Sequence, residues 1–137
     1  MRKLNLMTVS ERGDSDFGSL DDVDKDLYVL LLFFQLRDME GITHFYSHHA
    51  CHIPRLVAFL TAAEAPNARA VAELSAFLHE RAGGSWDVES LDEYLCDVSE
   101  EDESRIDEWD QEYSSRTEEM WDCVREYTRK QYDTDFG

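Results

Sequence analysis

Apolar residues recur at three- and four-residue steps along most of the chain, a pattern that predicts helices. The strongest stripe runs through Val23, Leu27, Leu30, Leu31 and Phe34, and Leu27–Leu36 is apolar on nearly every side, as in a central helix touched by several neighbours. A buried strand is the competing reading of so short a run. Asp21 can cap the first turn, Asp22 and Asp24 suit the positive end of a helix dipole, and no turn signals flank the run, so helix is favoured. Gly41 predicts a break, followed by a short helix through Ile42, Phe45 and Tyr46 that ends near Ser47. Pro54 fits the first turn of a helix carrying Leu56, Val57, Phe59 and Leu60. Pro66-Asn67 then ends one helix and caps another, Ala68 to about Glu80, with Val71, Leu74, Phe77 and Leu78 inward and Gly83-Gly84 closing it.

A short acidic helix with Val88, Leu91, Tyr94 and Leu95 follows. Ser99 with Asp102 resembles a capping box opening a long final segment. There Ile106, Trp109, Tyr113, Met120, Trp121, Val124 and Tyr127 keep the helical step past Ser114-Ser115, so one long helix or two abutting ones fit. Residues 1–19, with Gly13, Asp14, Ser15, Asp16 and Gly18, read as a flexible leader. The expectation is an all-α fold over residues 20–137: a single-domain helical bundle of about five to six helices with a long acidic C-terminal helix or helix pair. Leu30, Phe34, Trp109, Tyr113 and Trp121 are expected in its core.

Composition narrows the function. The chain has 137 residues, 42% hydrophobic, enough for one domain with a real core. Its 16 aromatic residues argue against disorder, and two prolines with six glycines argue against a turn-rich all-β design. Against 31 Asp and Glu stand 13 Lys and Arg, a net charge of -18. Direct binding to nucleic acid or to an anionic membrane needs cations, so neither is expected as a partner. Cys51, Cys96 and Cys123 are far apart and odd in number, which suits a reducing compartment. The N-terminus has no signal-peptide pattern, and the longest apolar run, Leu27–Phe34, is far below a membrane span. The protein is expected to be soluble and cytoplasmic.

Charge is unevenly spread. Residues 1–40 carry a net of -4, residues 41–81 are neutral and hold all five histidines, and residues 82–137 carry -14. His44, His48 and His52 stand at i, i+4 and i+8, which on an unbroken helix would line three imidazoles for zinc. Gly41 and Pro54 break that helix, and no acidic residue lies between Gly41 and Glu64, so polar turn or interface histidines are expected and no metal. Calcium is disfavoured too, for want of a glycine-centred DxDxDG loop. No glycine-rich phosphate loop, GxSxG elbow or Cys–His–Asn spacing stands out. No enzyme activity and no cofactor are expected.

The acidic segment is the serious candidate. Asp87 to Asp122 contains 16 carboxylates and two arginines. Coiled into helix, this approaches the line charge of duplex DNA within a factor of a few. Placing Trp121 and Val124 inward leaves Glu118, Asp122 and Glu126 as an outward like-charge stripe, each pair costing about 0.2–0.5 kcal/mol. A solvated surface that keeps the protein soluble is the competing reading, supported by i, i+4 pairs at Glu101–Arg105, Glu112–Arg116 and Glu126–Lys130.

The stretch Asp38-Met39-Glu40-Gly41-Ile42-Thr43-His44-Phe45-Tyr46-Ser47-His48 resembles the "NGGFxQFFxN" segment of the bacterial DNA-mimic protein family. Ala62-Ala63-Glu64-Ala65-Pro66 is similar to the family's "xIGAP", and Ile106-Asp107-Glu108-Trp109-Asp110-Gln111-Glu112-Tyr113 to its "LDxLDxEFY". The resemblance spans roughly residues 21–131. The family's first Asn, first Gly, Gln and second Asn are here Met39, Glu40, His44 and His48.

The resemblance implies an all-α domain that can form a homodimer and whose carboxylates occupy the DNA-binding face of a transcription factor or nucleoid protein. The expected function is therefore a non-enzymatic DNA mimic with a basic DNA-binding protein as partner. Its partner-binding face would use Asp92, Glu93, Asp97, Glu100, Glu101, Asp107, Glu108, Glu118, Asp122 and Glu126. The alternative is an immunity protein that neutralises a basic nuclease toxin through aromatic anchors and the same electrostatics.

Overall fold

The computed structural model describes residues 1–136. The architecture is all-α apart from one parallel pair of three-residue strands. In chain order the elements are β1 (Arg2–Leu4), α1 (Leu6–Asp16), α2 (Asp22–Glu40), α3 (Ile42–His48), α4 (Ile53–Ala62), α5 (Ala68–Arg81), α6 (Val88–Leu95), α7 (Glu100–Ser114), α8 (Thr117–Tyr132) and β2 (Thr134–Phe136). Two 3-10 turns link α1 to α2 and α3 to α4. Eight helices among the described residues replace the five to six expected. The surplus comes from α1 and from the division of the acidic segment into α7 and α8.

The stretch read as a flexible leader holds helix α1. Asn5 caps α1, its side-chain oxygen accepting from the N–H groups of Met7 and Thr8 at 2.8 and 3.3 Å. Val9 is buried, and Gly13 lies against the ring of Tyr28, where an added Cβ would come within 2.1 Å of a ring carbon. The Tyr28 hydroxyl donates to Asp14 at 2.7 Å. This helix is held by close packing, with one buried apolar side chain and a glycine in place of a broad stripe. Its Ser, Gly and Asp content reads as loop because propensity carries no record of the Tyr28 ring that covers it.

α2 is the central element, as its all-round apolarity predicts. Leu27, Val29, Leu30 and Phe33 are fully buried, and the Phe33 ring meets Phe45, Tyr46 and Tyr113 edge-on. Asp21 caps it through the Asp24 N–H at 3.0 Å. Gly41, at φ +97°, turns the chain into α3, a conformation that favours glycine. Of the five expected core residues, Leu30 and Tyr113 are buried. Phe34, Trp109 and Trp121 are half-buried at the rim, with Trp121 edge-on to Phe34 and to Phe136.

The break between α7 and α8 has a local cause. The Ser114 and Ser115 hydroxyls donate to the carbonyls of Gln111 and Glu112, competing with the helix ladder. Asn67, expected to cap α5, makes no side-chain cap. It is fully buried and donates to the Tyr113 carbonyl at 3.2 Å, holding the end of α7.

The chain termini meet. β1 runs parallel to β2, with Arg2 opposite Thr134 and Leu4 opposite Phe136. Buried Asp135 accepts from Arg125 at 2.7 and 3.2 Å, from Lys3 at 3.3 Å and from Arg129 at 3.5 Å. Arg2 reaches Asp24 at 2.6 Å and Asp21 at 3.2 Å, tying β1 to the start of α2. Among the described residues no helix is long and apolar enough to cross a membrane.

Candidate acidic interface

The ten nominated carboxylates are all exposed, and they fall into two groups. Asp92 and Glu93 stand on α6, Asp97 follows it, and Glu100, Glu101, Asp107 and Glu108 stand on α7. Glu118, Asp122 and Glu126 form the second group on α8, at successive turns of one helix. α7 packs on α5, whereas α8 packs on α4 and β2, so the two groups rest on different parts of the scaffold. Among the described residues, Glu126 alone of the ten forms an ion pair, to Lys130 at 3.0 Å.

The sequence missed further carboxylates. A groove of about 490 Å³ between the end of α4 and α8 is lined by Glu64, Asp122, Glu126 and Lys130, so the turn after α4 adds a carboxylate beside the α8 stripe. A second groove of about 390 Å³ separates α7 from the start of α3 and the end of α6, with Glu103, Asp107 and Asp110 along one wall. Glu103 could have been found, since it stands four residues before Asp107. Asp110 is structural: it accepts from Arg37 of α2 at 2.9 and 3.2 Å.

Scarcity of free cations explains why the face stays negative. Ten of the 13 Lys and Arg pair with a carboxylate of this chain, many of them across the fold. Of the three expected i, i+4 pairs only Glu126–Lys130 forms. Arg116 turns to Glu119 at 3.4 Å, and the Arg105 guanidinium lies over the Phe77 and Trp109 rings at 4.9 and 5.2 Å.

Asp102 departs from the expected capping box. The Ser99 hydroxyl does accept from the Asp102 N–H at 3.2 Å, but the Asp102 carboxylate accepts from Arg81 at 3.0 Å and from the Tyr94 hydroxyl at 2.7 Å. The Arg81 and Tyr94 hydrogen bonds hold the Asp102 carboxyl below the usual carboxylate range. Burial and the Asp102 carboxylate push the Tyr94 phenol up to about 12. This junction locks α5, α6 and α7 together beneath the exposed acids.

The histidines divide as the chain turns. His44 and His48 share α3, and their rings stack at 4.0 Å. His49 leaves the helix, and His52 packs on Phe17 at 4.7 Å, so the three imidazoles do not share one face. Burial, with neighbouring imidazoles adding to it, lowers the pKa of His49 and of His52. Among the described residues no three metal-ligating side chains are grouped.

No family model, curated protein or solved structure matches the chain. The resemblance to the DNA-mimic family therefore rests on the quoted residues alone.

Proposed function

We propose that this chain is a non-enzymatic acidic interaction protein of the cytoplasm, a DNA mimic that occupies the DNA-binding surface of a basic transcription factor or nucleoid protein. One observation carries the reading: ten of the 13 Lys and Arg pair with carboxylates of this chain, while the nominated acids are all exposed and, save Glu126, without ion pairs among the described residues. A surface tuned only for solubility would gain from alternating signs, because like charges one turn apart repel. A row of carboxylates instead meets the Lys and Arg that normally hold phosphates, steers the encounter, and carries no base edges.

The test is a pull-down from native lysate at low salt, comparing the wild type with a Glu118→Gln/Asp122→Gln/Glu126→Gln variant. A basic DNA-binding protein should be retained by the wild type, lost with the variant and released by added duplex DNA. Recovery of a nuclease toxin would favour the immunity reading. Recovery of nothing, or of partners indifferent to the substitutions and to salt, would leave the acidic face as a solvated surface.

A further inference from the structure

We propose that His44 and His48 form a two-imidazole site for one divalent ion of the late first-row transition series, the class of zinc, nickel and copper. The inference is independent of the acidic face. Both residues stand on α3 one turn apart, and their rings stack at 4.0 Å with planes 19° apart. A tetrahedral zinc ion at about 2.0–2.1 Å from each ligand nitrogen sets two such nitrogens roughly 3.3 Å apart. A metal ion lies in the plane of each imidazole that binds it, so binding turns the His44 ring out of the stack while the His48 ring keeps its place.

The tautomer of His48 is set by its neighbours. Its Nδ1 lies 3.1 Å from the His44 carbonyl and 2.8 Å from the Ser47 hydroxyl, which itself donates to the same carbonyl at 3.1 Å. A carbonyl only accepts, so Nδ1 carries the proton and Nε2 presents a bare lone pair on an exposed side chain. Metal-ligating imidazoles are oriented in this way, by donating their other N–H to a carbonyl. The His44 ring nitrogens make no hydrogen bond to protein among the described residues.

The surroundings select the ion. No carboxylate occurs from Gly41 to Ala63, so this stretch of chain offers no oxygen cage for magnesium or calcium, while imidazole suits zinc, nickel and copper. The net charge of -18 raises the local concentration of any cation. With two protein ligands the ion keeps open positions, filled by water or by a donor from a second molecule. Bound across the last turn of α3, it staples that short helix and stabilises the folded state.

The experiment titrates tag-free full-length protein with nickel and zinc by calorimetry, and follows the imidazole nitrogens by long-range proton–nitrogen spectra. One ion per chain should bind saturably in the presence of excess magnesium, with the Nε2 signals of His44 and His48 shifting. His48→Ala should weaken binding at least about tenfold, as loss of a ligand outweighs loss of an orienting partner. His52→Ala should leave the affinity as it is. Three results would each overturn the site: no saturable binding, equal affinity in wild type and His48→Ala, or unmoved Nε2 signals in the wild type. The last readout needs no variant and so stands even if His48→Ala misfolds.

Discussion

Helix α8 carries the molecule's two opposite treatments of negative charge. Asp135, packed beside it on β2, is buried among Arg125, Arg129 and Lys3. Asp122, on the helix itself, is exposed with Glu118 and Glu126 one turn to either side. Arg125 stands three residues from Asp122, and Arg129 three from Glu126, a spacing at which ion pairs form readily on a helix. Both guanidiniums turn away to Asp135 instead. Tertiary structure thus maintains the acidity of the stripe: the strand pair draws off the cations that would otherwise neutralise it.

Breaking the clasp should therefore have the largest effect. Asp135→Asn lowers the melting temperature and, by releasing Arg125 and Arg129 toward Asp122 and Glu126, weakens partner binding several-fold. Partner binding unchanged in a folded Asp135→Asn protein would show that the stripe stays negative without the clasp. Asp24→Ala attacks the same clasp at α2 and leaves the Arg2 guanidinium with Asp21 and the Thr134 hydroxyl. The lost charge-assisted hydrogen bond is worth about 1.5–3 kcal/mol, and the burial that pushes the Asp24 carboxyl up offsets part of it, so a smaller net loss is read from urea midpoints.

Gly13→Ala drives a methyl into the Tyr28 ring and should cost about 1–3 kcal/mol. A neutral outcome would mean that α1 is not packed as described. Acid titration separates the regions by pH. His49 and His52 have lowered folded pKa values, so the unfolded chain binds more protons and stability falls as pH drops below about 6.5. Asp135 is held well below the carboxylate range by Arg125 and Lys3. Its contribution is present above pH 3.8 and is lost as pH falls toward its folded pKa. Denaturant midpoints measured from pH 8 to 3 should show two successive declines, the first absent from a His49→Ala/His52→Ala protein.

The smallest effect has the opposite sign. Glu118→Gln/Asp122→Gln/Glu126→Gln relieves two like-charge pairs at about 0.2–0.5 kcal/mol each and forfeits the Glu126–Lys130 pair. The net change in stability should be a few tenths of a kcal/mol, zero or favourable. A marked loss would show that the stripe serves the fold.

Much of the fold was legible because it is written locally. The Asp21 and Ser99 caps, the Gly41 break, Pro54 and the α2–α5 stripes each depend on residues within one or two turns. What escaped depends on distant partners. β1 is three residues with no strand signal and exists by pairing with β2 more than 130 positions away. α1 hides its packing in Gly13. The acidic character of the candidate face could be counted in the sequence, but its lack of counter-charge could not. Glu101–Arg105 and Glu112–Arg116 look satisfied on a helical wheel, but Arg105 lies over Phe77 of α5 and its neighbour Trp109, and Arg116 pairs with Glu119 instead.

Carboxylates that stand in for phosphates must compete with duplex DNA for one surface on the recovered partner. Labelled duplex DNA bound to that partner is titrated with this protein at several salt concentrations. Mimicry requires full mutual exclusion, an affinity that falls steeply as salt rises, and a shallower salt dependence for the Glu118→Gln/Asp122→Gln/Glu126→Gln protein. A stable ternary complex with DNA, or binding indifferent to salt and to the three substitutions, would contradict it.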